Sequence, residues 1–262
     1  MEKIVLITGA SKGIGKALAE IFAKNGYALI LIARSEAALL QLQQELKNKY
    51  QSSVKVIAAD LAEATAIDRI MDAIQEEAKN VEILINNAGY GILKKLTDIP
   101  QVDVVGMLDV NIRALTQLTY RLLPFMVAKK SGKIMNVAST AAFAPGPYMS
   151  IYYATKAYVL RFSEGIREEF SEDGVHVSIL CPGVTETEFQ KRAGMEEFIF
   201  KNKKMLQAMS AQQVADIAYQ GLMNNKRMIV PGAMNKLMRF GMWLFPHALV
   251  AKIISELQKS RK

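Results

Sequence analysis

Cysteine occurs once in the 262 residues, histidine twice and tryptophan once. A lone Cys181 excludes an internal disulfide framework, and the residue reads as a small buried apolar group rather than a redox centre. With that cysteine and only His176 and His247, a structural zinc site cannot be assembled, so no metal is expected. This usage fits a reducing, cytosol-facing compartment, and a cytoplasmic location is the expectation. No uninterrupted apolar run reaches the length that spans a bilayer. The opening residues have the charged-then-apolar order of a signal peptide, but the run Ile4–Ile7 is too short and a Gly-rich turn follows. It reads as a strand, and no export address is expected.

Negative charge is also scarce in one place. The formal net charge is +8, and the segment from Lys226 to Lys262 holds eight basic residues against the single acid Glu256. The rest of the chain is therefore near neutral. A basic tail on an ordinary domain is the plain reading, without a nucleic-acid partner.

What is abundant is apolar side chain, 51% of the residues, ample for a buried core. Short β-branched runs alternate with longer helical patterns. The strands expected are Ile4–Thr8, Ala28–Ala33, Val54–Ala59, Ile83–Asn86, Lys133–Ala138, His176–Cys181 and Met228–Val230. After the first strand Ile14, Leu18, Ile21 and Phe22 share a helical face, and Gly26 supplies a left-handed stop. Ala37–Tyr50, Glu63–Asn80, Gln101–Lys130, Tyr152–Asp173 and Ala211–Asn224 also carry helical periodicity. Near-continuous apolar strands such as Ala28–Ala33 are buried on both faces, as in a parallel sheet covered by helices. The expected fold is α/β: a single doubly wound Rossmann domain over residues 1–232, with a mostly parallel seven-stranded sheet and helices on both faces. A basic amphipathic tail, 233–262, follows it.

The first strand runs into Thr8-Gly9-Ala10-Ser11-Lys12-Gly13-Ile14-Gly15. Glycines there permit a tight turn and close approach of backbone to a pyrophosphate, and the helix start offers free amides. Past the second strand stand Ala33-Arg34-Ser35, with no acid before Glu36 to hold a ribose 2′-hydroxyl. Arg34 and Lys12 instead suit a 2′-phosphate, which carries roughly −1.5 to −2 charges near neutral pH. The expected cofactor is NADP(H).

Tyr152 and Lys156 are four apart on one helix face, whereas Tyr153 has Ala157 at that spacing. A phenol working near neutral pH needs its pKa lowered by about three units, roughly 4 kcal/mol. One ammonium about 4 Å away is worth about that much at an effective dielectric near 20, and with the positive charge of an oxidised nicotinamide beside it the shift is within reach. Spacing selects Tyr152, and Ser139 lies thirteen residues earlier, just past a strand.

The Gly-x-x-x-Gly-x-Gly turn, the Tyr-x-x-x-Lys pair and the serine before it resemble the short-chain dehydrogenase/reductase family, over about residues 3–190. The resemblance implies further roles. Asp60, with Leu61 beside it, is similar to the aspartate that holds the adenine amino group. Asn86-Asn87-Ala88-Gly89 matches the turn that stabilises the sheet and lines the cofactor cleft. Asn111 matches the asparagine whose carbonyl holds a water linking the lysine to solvent. Pro182-Gly183-Val184-Thr185-Glu186-Thr187 resembles the turn in which the Thr185 backbone and the Thr187 hydroxyl hold the carboxamide. Catalysis is then expected from Asn111, Ser139, Tyr152 and Lys156. Family resemblance also suggests a homodimer or homotetramer, with the Gln101 and Tyr152 helices as interfaces.

Residues Ala141–Met149 and Glu188–Ser210 are the expected substrate walls, contributing Phe143, Pro145, Pro147, Met149, Phe189, Met195, Phe198, Ile199 and Phe200. Such side chains suit a lipophilic ketone or aldehyde, or else pack the loop onto the domain. A 3-oxoacyl thioester is the alternative substrate, and a non-catalytic NADP-binding redox sensor the third reading. In the tail, Leu237, Phe240, Trp243 and Leu244 fall at helical spacing, Pro246 breaks the run, and Leu249, Ile253 and Leu257 resume it. Such a stripe packs over the substrate loop or a partner subunit; with Lys236, Arg239 and Lys252 interleaved, it also has the pattern of a peripheral membrane contact, which is the alternative.

Overall fold

The computed structural model describes residues 3–195 and 208–259. Phe198, Ile199 and Phe200 of the expected substrate wall, and Arg261 and Lys262 of the tail, lie outside the described residues.

Strands β1 (Ile4–Thr8), β2 (Ala28–Ala33) and β3 (Val54–Ala58) alternate with helices α1 (Gly13–Lys24) and α2 (Glu36–Tyr50). Then follow α3 (Ala66–Ala73), β4 (Val81–Asn86), α4 (Gln101–Leu108), α5 (Leu115–Ala128), β5 (Gly132–Val137), α6 (Ser150–Glu169) and β6 (Val175–Leu180). The rest comprises β7 (Thr185–Glu186), α7 (Glu188–Ala193), β8 (Met209–Ser210), α8 (Ala211–Met223), β9 (Met228–Ile229), α9 (Ala233–Leu244) and α10 (His247–Gln258). The main sheet has seven strands in the order β3-β2-β1-β4-β5-β6-β9, and every pairing in it is parallel. Strand order reverses between β1 and β4, the place in an open α/β sheet where a crevice forms at the carboxyl ends.

Alternation along each strand divides the core. Val5, Ile7, Leu29 and Leu31 point to the face covered by α1, α2 and α8, burying Leu18, Phe22, Leu39 and Leu222. Ile4, Leu6, Ile30 and Ile32 point to the other face, against Ile70, Leu118 and Leu122 of α3 and α5. Each such fully buried aliphatic side chain contributes about 1.5–3 kcal/mol.

Two expectations are corrected. The expected Glu63–Asn80 helix is α only over Ala66–Ala73, because the chain tightens into a 3-10 turn at Ala78–Asn80 before entering β4. Gln101–Lys130 is not one regular helix: a π-helical segment, Asp109–Ala114, separates α4 from α5. A two-stranded parallel pair, β7 with β8, was not expected, since two-residue strands leave no periodicity to read.

Candidate active site

The site begins with the turn after β1. Gly9 and Gly13 adopt φ of 66° and 55°, in the left-handed region that a side chain disfavours. At Gly15 sterics decide: a Cβ there would lie 2.3 Å from the Gly9 carbonyl oxygen. The turn is knitted to the end of β4. The Thr8 hydroxyl accepts from the amides of Asn87 and Ala88 at 3.0 Å each, and Asn87 Nδ2 donates to the carbonyls of Thr8 and Gly9. No side chain caps α1 at Lys12 and no acid sits in its first turn, so its leading amides face the crevice free for an anion.

A cavity of about 900 Å³ opens over these strand ends. All the expected cofactor-binding residues except Gly15 line it, together with Ser139. Gly15 packs behind the turn. Asn111 also lies one layer back, fully buried in the π segment, where Nδ2 donates to the Tyr90 carbonyl and to Thr155 Oγ1 while Oδ1 accepts from the Tyr90 amide. The wider π turn admits this side chain between helix and loop, an arrangement often found at functional sites.

Ser139 follows β5 in extended backbone; its hydroxyl accepts from the Ala141 amide and donates to the Pro182 carbonyl at 3.4 Å. Tyr152 and Lys156 stand one turn apart on α6, both buried. Lys156 Nζ lies 5.8 Å from the Tyr152 ring centroid and donates to the Val137 carbonyl at 2.8 Å. The depressed phenol expected from the lysine is not a property of the chain by itself. Burial pushes Tyr152 up to about 12, outweighing its hydrogen bond with Ser139. Burial likewise lowers Lys156 to about 8. For both groups desolvation by burial is the largest effect, and it disfavours the charged form of each. Cys181 is fully buried, its thiol raised to about 12 by burial, which leaves it unreactive. Among the described residues, no group of three His, Cys, Asp or Glu could hold a metal ion.

Beyond β6, Thr187 caps α7, its hydroxyl accepting from the Phe189 amide, and Gln190 closes the box by accepting from the Thr187 amide. Of the expected substrate walls, Met149, Phe189 and Met195 do line the cavity. Phe143, Pro145 and Pro147 do not; Phe143 packs instead into the core cluster beside β6, with Arg239 over its ring. Their place is taken by the tail: Met238 and Met242 of α9 and Ile254, Leu257 and Gln258 of α10 close the cavity. Gln258 Nε2 donates to the Tyr153 hydroxyl at 2.9 Å, tying the tail to the residue beside Tyr152. Arg192 and Tyr90, which stack on one another, also line the cavity and were missed. Of the tail's expected apolar stripe only Leu257 lines the cavity; nothing in sequence spacing pairs residues 90 and 192.

The model of the short chain dehydrogenase family matches residues 3–198. Sulfoacetaldehyde reductase 2 of Chromohalobacter salexigens is 36% identical over 72% of this chain and 75% of its own. The human very-long-chain 3-oxoacyl-CoA reductase is 35% identical over 71% of this chain and 60% of its own. A short-chain dehydrogenase from Sphingobium yanoikuyae, solved in complex with NADPH, superposes with a TM-score of 0.81 at 31% identity, over 94% of this chain and 97% of that one. With the Gly-rich turn, the Asn-Asn-Ala-Gly turn, Ser139 and the buried Tyr152 and Lys156 gathered in one crevice, the chain belongs to the short-chain dehydrogenase family of oxidoreductases.

Proposed function

We propose that the chain is an NADPH-dependent reductase, reversibly a dehydrogenase, of a lipophilic ketone or aldehyde. The observation that carries this reading is one continuous cavity with the Gly-rich turn and Arg34 along it, Ser139, Tyr152 and Lys156 facing it, and apolar walls closing it. The residues fit a dinucleotide. The uncapped start of α1 lies at the cavity with Gly9, Ser11, Lys12 and Gly13 along its wall, and Asn87, Ala88 and Gly89 line the same wall, which is the donor set a pyrophosphate and its ribose need. The NADPH complex of the Sphingobium relative supports the choice of cofactor.

When bound, the reduced nicotinamide supplies the hydride. The chain supplies the rest. Ser139 Oγ–H donates to the substrate carbonyl oxygen and holds it beside Tyr152. Tyr152 gives its hydroxyl proton to that oxygen as the carbonyl carbon is reduced. Lys156, still mostly protonated at pH 7 with a pKa of about 8, provides the positive charge that favours the phenolate left behind. Asn111 holds the Tyr90 loop and α6 together beneath this group. Met149, Phe189, Met195, Met238 and Met242 offer a malleable apolar surface with few polar anchors, which suits a lipophilic substrate. Screening NADPH oxidation against steroid, fatty-aldehyde and acyl-thioester panels tests the reading; turnover of small hydrophilic carbonyls alone sinks it.

A 3-oxoacyl thioester is the second reading, supported by the name of the human relative and by the basic tail. A carrier-bound acyl substrate requires activity to fall steeply with salt, whereas a free ketone does not.

Arg34→Ala weakens NADPH selectively, by roughly tenfold to a hundredfold, because only NADPH presents the 2′-phosphate to a charge-assisted hydrogen bond. Equal losses for NADH and NADPH in a binding titration would make Arg34 structural. A homodimer or homotetramer through α4–α6 is supported by Val105, Leu108, Tyr120 and Phe125, which stay exposed there.

Among the described residues, no helix is long and apolar enough to cross a membrane. Peripheral contact is another matter. The outer face of α9 and α10 leaves Leu237, Phe240, Trp243 and Ile253 exposed, Trp243 at 78%, with Lys236 and Lys252 beside them. Anionic vesicles are expected to retain the full chain at low salt and to lose it when the chain ends at Pro231. If neither anionic nor neutral vesicles retain the full chain, the membrane reading fails; a truncated chain that folds but changes its oligomeric state makes the tail an assembly element.

A further inference from the structure

Helix α7 is strapped across the mouth of the cavity. At its start the Glu188 carboxylate pairs with Lys12 of the Gly-rich turn at 3.6 Å, and at its end the Ala193 carbonyl accepts from the Leu93 amide at 2.9 Å. Lys12, expected from sequence to face the 2′-phosphate, is thus shared with a carboxylate of the strap. The strap brings another cation. Arg192 lays its guanidinium over the Tyr90 ring, 3.8 Å from the centroid, and lines the same cavity as Arg34, Asp60 and Leu61.

Stacking uses the face of a guanidinium and leaves its in-plane N–H edges free. No acceptor among the described residues takes a hydrogen bond from Arg192, and Arg34 likewise makes no ion pair among them. Burial lowers the Arg192 pKa first, and the like charge of Arg34 lowers it further, against smaller opposing effects of Tyr90, Asp60 and Asp103. Two guanidinium groups within electrostatic reach of each other in a crevice repel, and an anion between them relieves the repulsion. The leading amides of α1 already suit the pyrophosphate. The anion left for the two arginines is a phosphate monoester, which accepts forked N–H pairs and carries the charge to neutralise both.

We infer that Arg192 is a specificity residue for the 2′-phosphate of NADP(H), carried by α7 and facing Arg34 across the crevice, so that the strap over the substrate cavity is held shut by the cofactor's own phosphate. The inference rests on the NADP(H) reading above.

The test uses the full chain and calorimetric titration with NADP⁺, NAD⁺, 2′,5′-ADP and 5′-AMP. Arg192→Ala is expected to weaken NADP⁺ and 2′,5′-ADP by about tenfold to a hundredfold while NAD⁺ and 5′-AMP move by no more than about twofold. Arg192→Lys restores part of the loss, since an ammonium keeps the charge without the fork. Equal weakening of NADP⁺ and NAD⁺ overturns the inference and assigns Arg192 to the pyrophosphate or to holding α7 in place. No change in any ligand overturns it as well. The wild-type ratio of NADP⁺ to NAD⁺ affinity reports on cofactor preference itself: a chain that favours NAD⁺ defeats the underlying reading, whereas a chain that favours NADP⁺ unaffected by Arg192→Ala defeats only this inference. Retained NAD⁺ affinity shows that the variant is folded.

Discussion

Tyr152→Phe abolishes carbonyl reduction, with kcat falling at least about a thousandfold, while NADPH affinity stays nearly unchanged. The substitution removes one oxygen atom from a ring that keeps its packing against Phe189 and Gly91. In the proposed mechanism that oxygen is the proton donor, so the loss is expected to fall on the chemical step. Tyr153→Phe serves as the internal control. Its hydroxyl accepts from Gln258, away from any lysine partner, so the variant loses a tail contact and at most a modest share of activity. Steady-state rates and cofactor fluorescence titration separate the two. If Tyr153→Phe proves the dead enzyme and Tyr152→Phe the mild one, the assignment of the acid is out of register.

Lys156→Met removes activity too, yet it stabilises the cofactor-free protein. The ammonium is buried, and its pKa in the fold is about 8 against an ordinary 10.5. The unfolded chain therefore holds this proton more tightly than the native one. The cost of keeping the ammonium in the fold is greatest below about pH 8, roughly 3 kcal/mol at the stated shift. It fades as the pH rises toward the ordinary lysine value, where both states are neutral. Thermal melts should accordingly show Lys156→Met melting above wild type at pH 7, with the gap closing between pH 8 and 10. A wild type that is more stable at pH 7 would show that the hydrogen bond from Lys156 to Val137 outweighs the desolvation.

Much of this was legible in the sequence because its determinants are local. Ile4–Thr8 and Ala28–Ala33 are runs of apolar residues with no alternation, and they became the fully buried centre of a parallel sheet. Gly9, Gly13 and Gly15 announce a turn through backbone requirements that hold wherever the chain goes. Tyr152 and Lys156 are neighbours by helix geometry alone. What escaped depends on partners distant in sequence. The π segment at Asn111 forms because a side chain reaches the Tyr90 backbone, twenty-one residues earlier, which no periodicity encodes. For the phenol, spacing gives the presence of a cation but not the burial that raises its pKa in the chain by itself. Phe143 looked like a pocket wall by composition but packs, half-buried, against the core cluster beside β6, while the tail's Met238 and Met242 line the cavity.

The closing of the cavity by α9 and α10 has a consequence for how the protein is made. Every strand whose end contributes to the crevice, and the entire Gly-rich turn, precede residue 233 in the chain. Synthesis proceeds from the amino end, so the nucleotide crevice can assemble on the ribosome before the roof of the substrate chamber has been translated. The link between Tyr153 and Gln258, 105 residues apart, forms among the last contacts. A nascent chain can thus be steadied by its nucleotide before it is able to accept any substrate, and the reactive chamber comes into existence only around a scaffold already set.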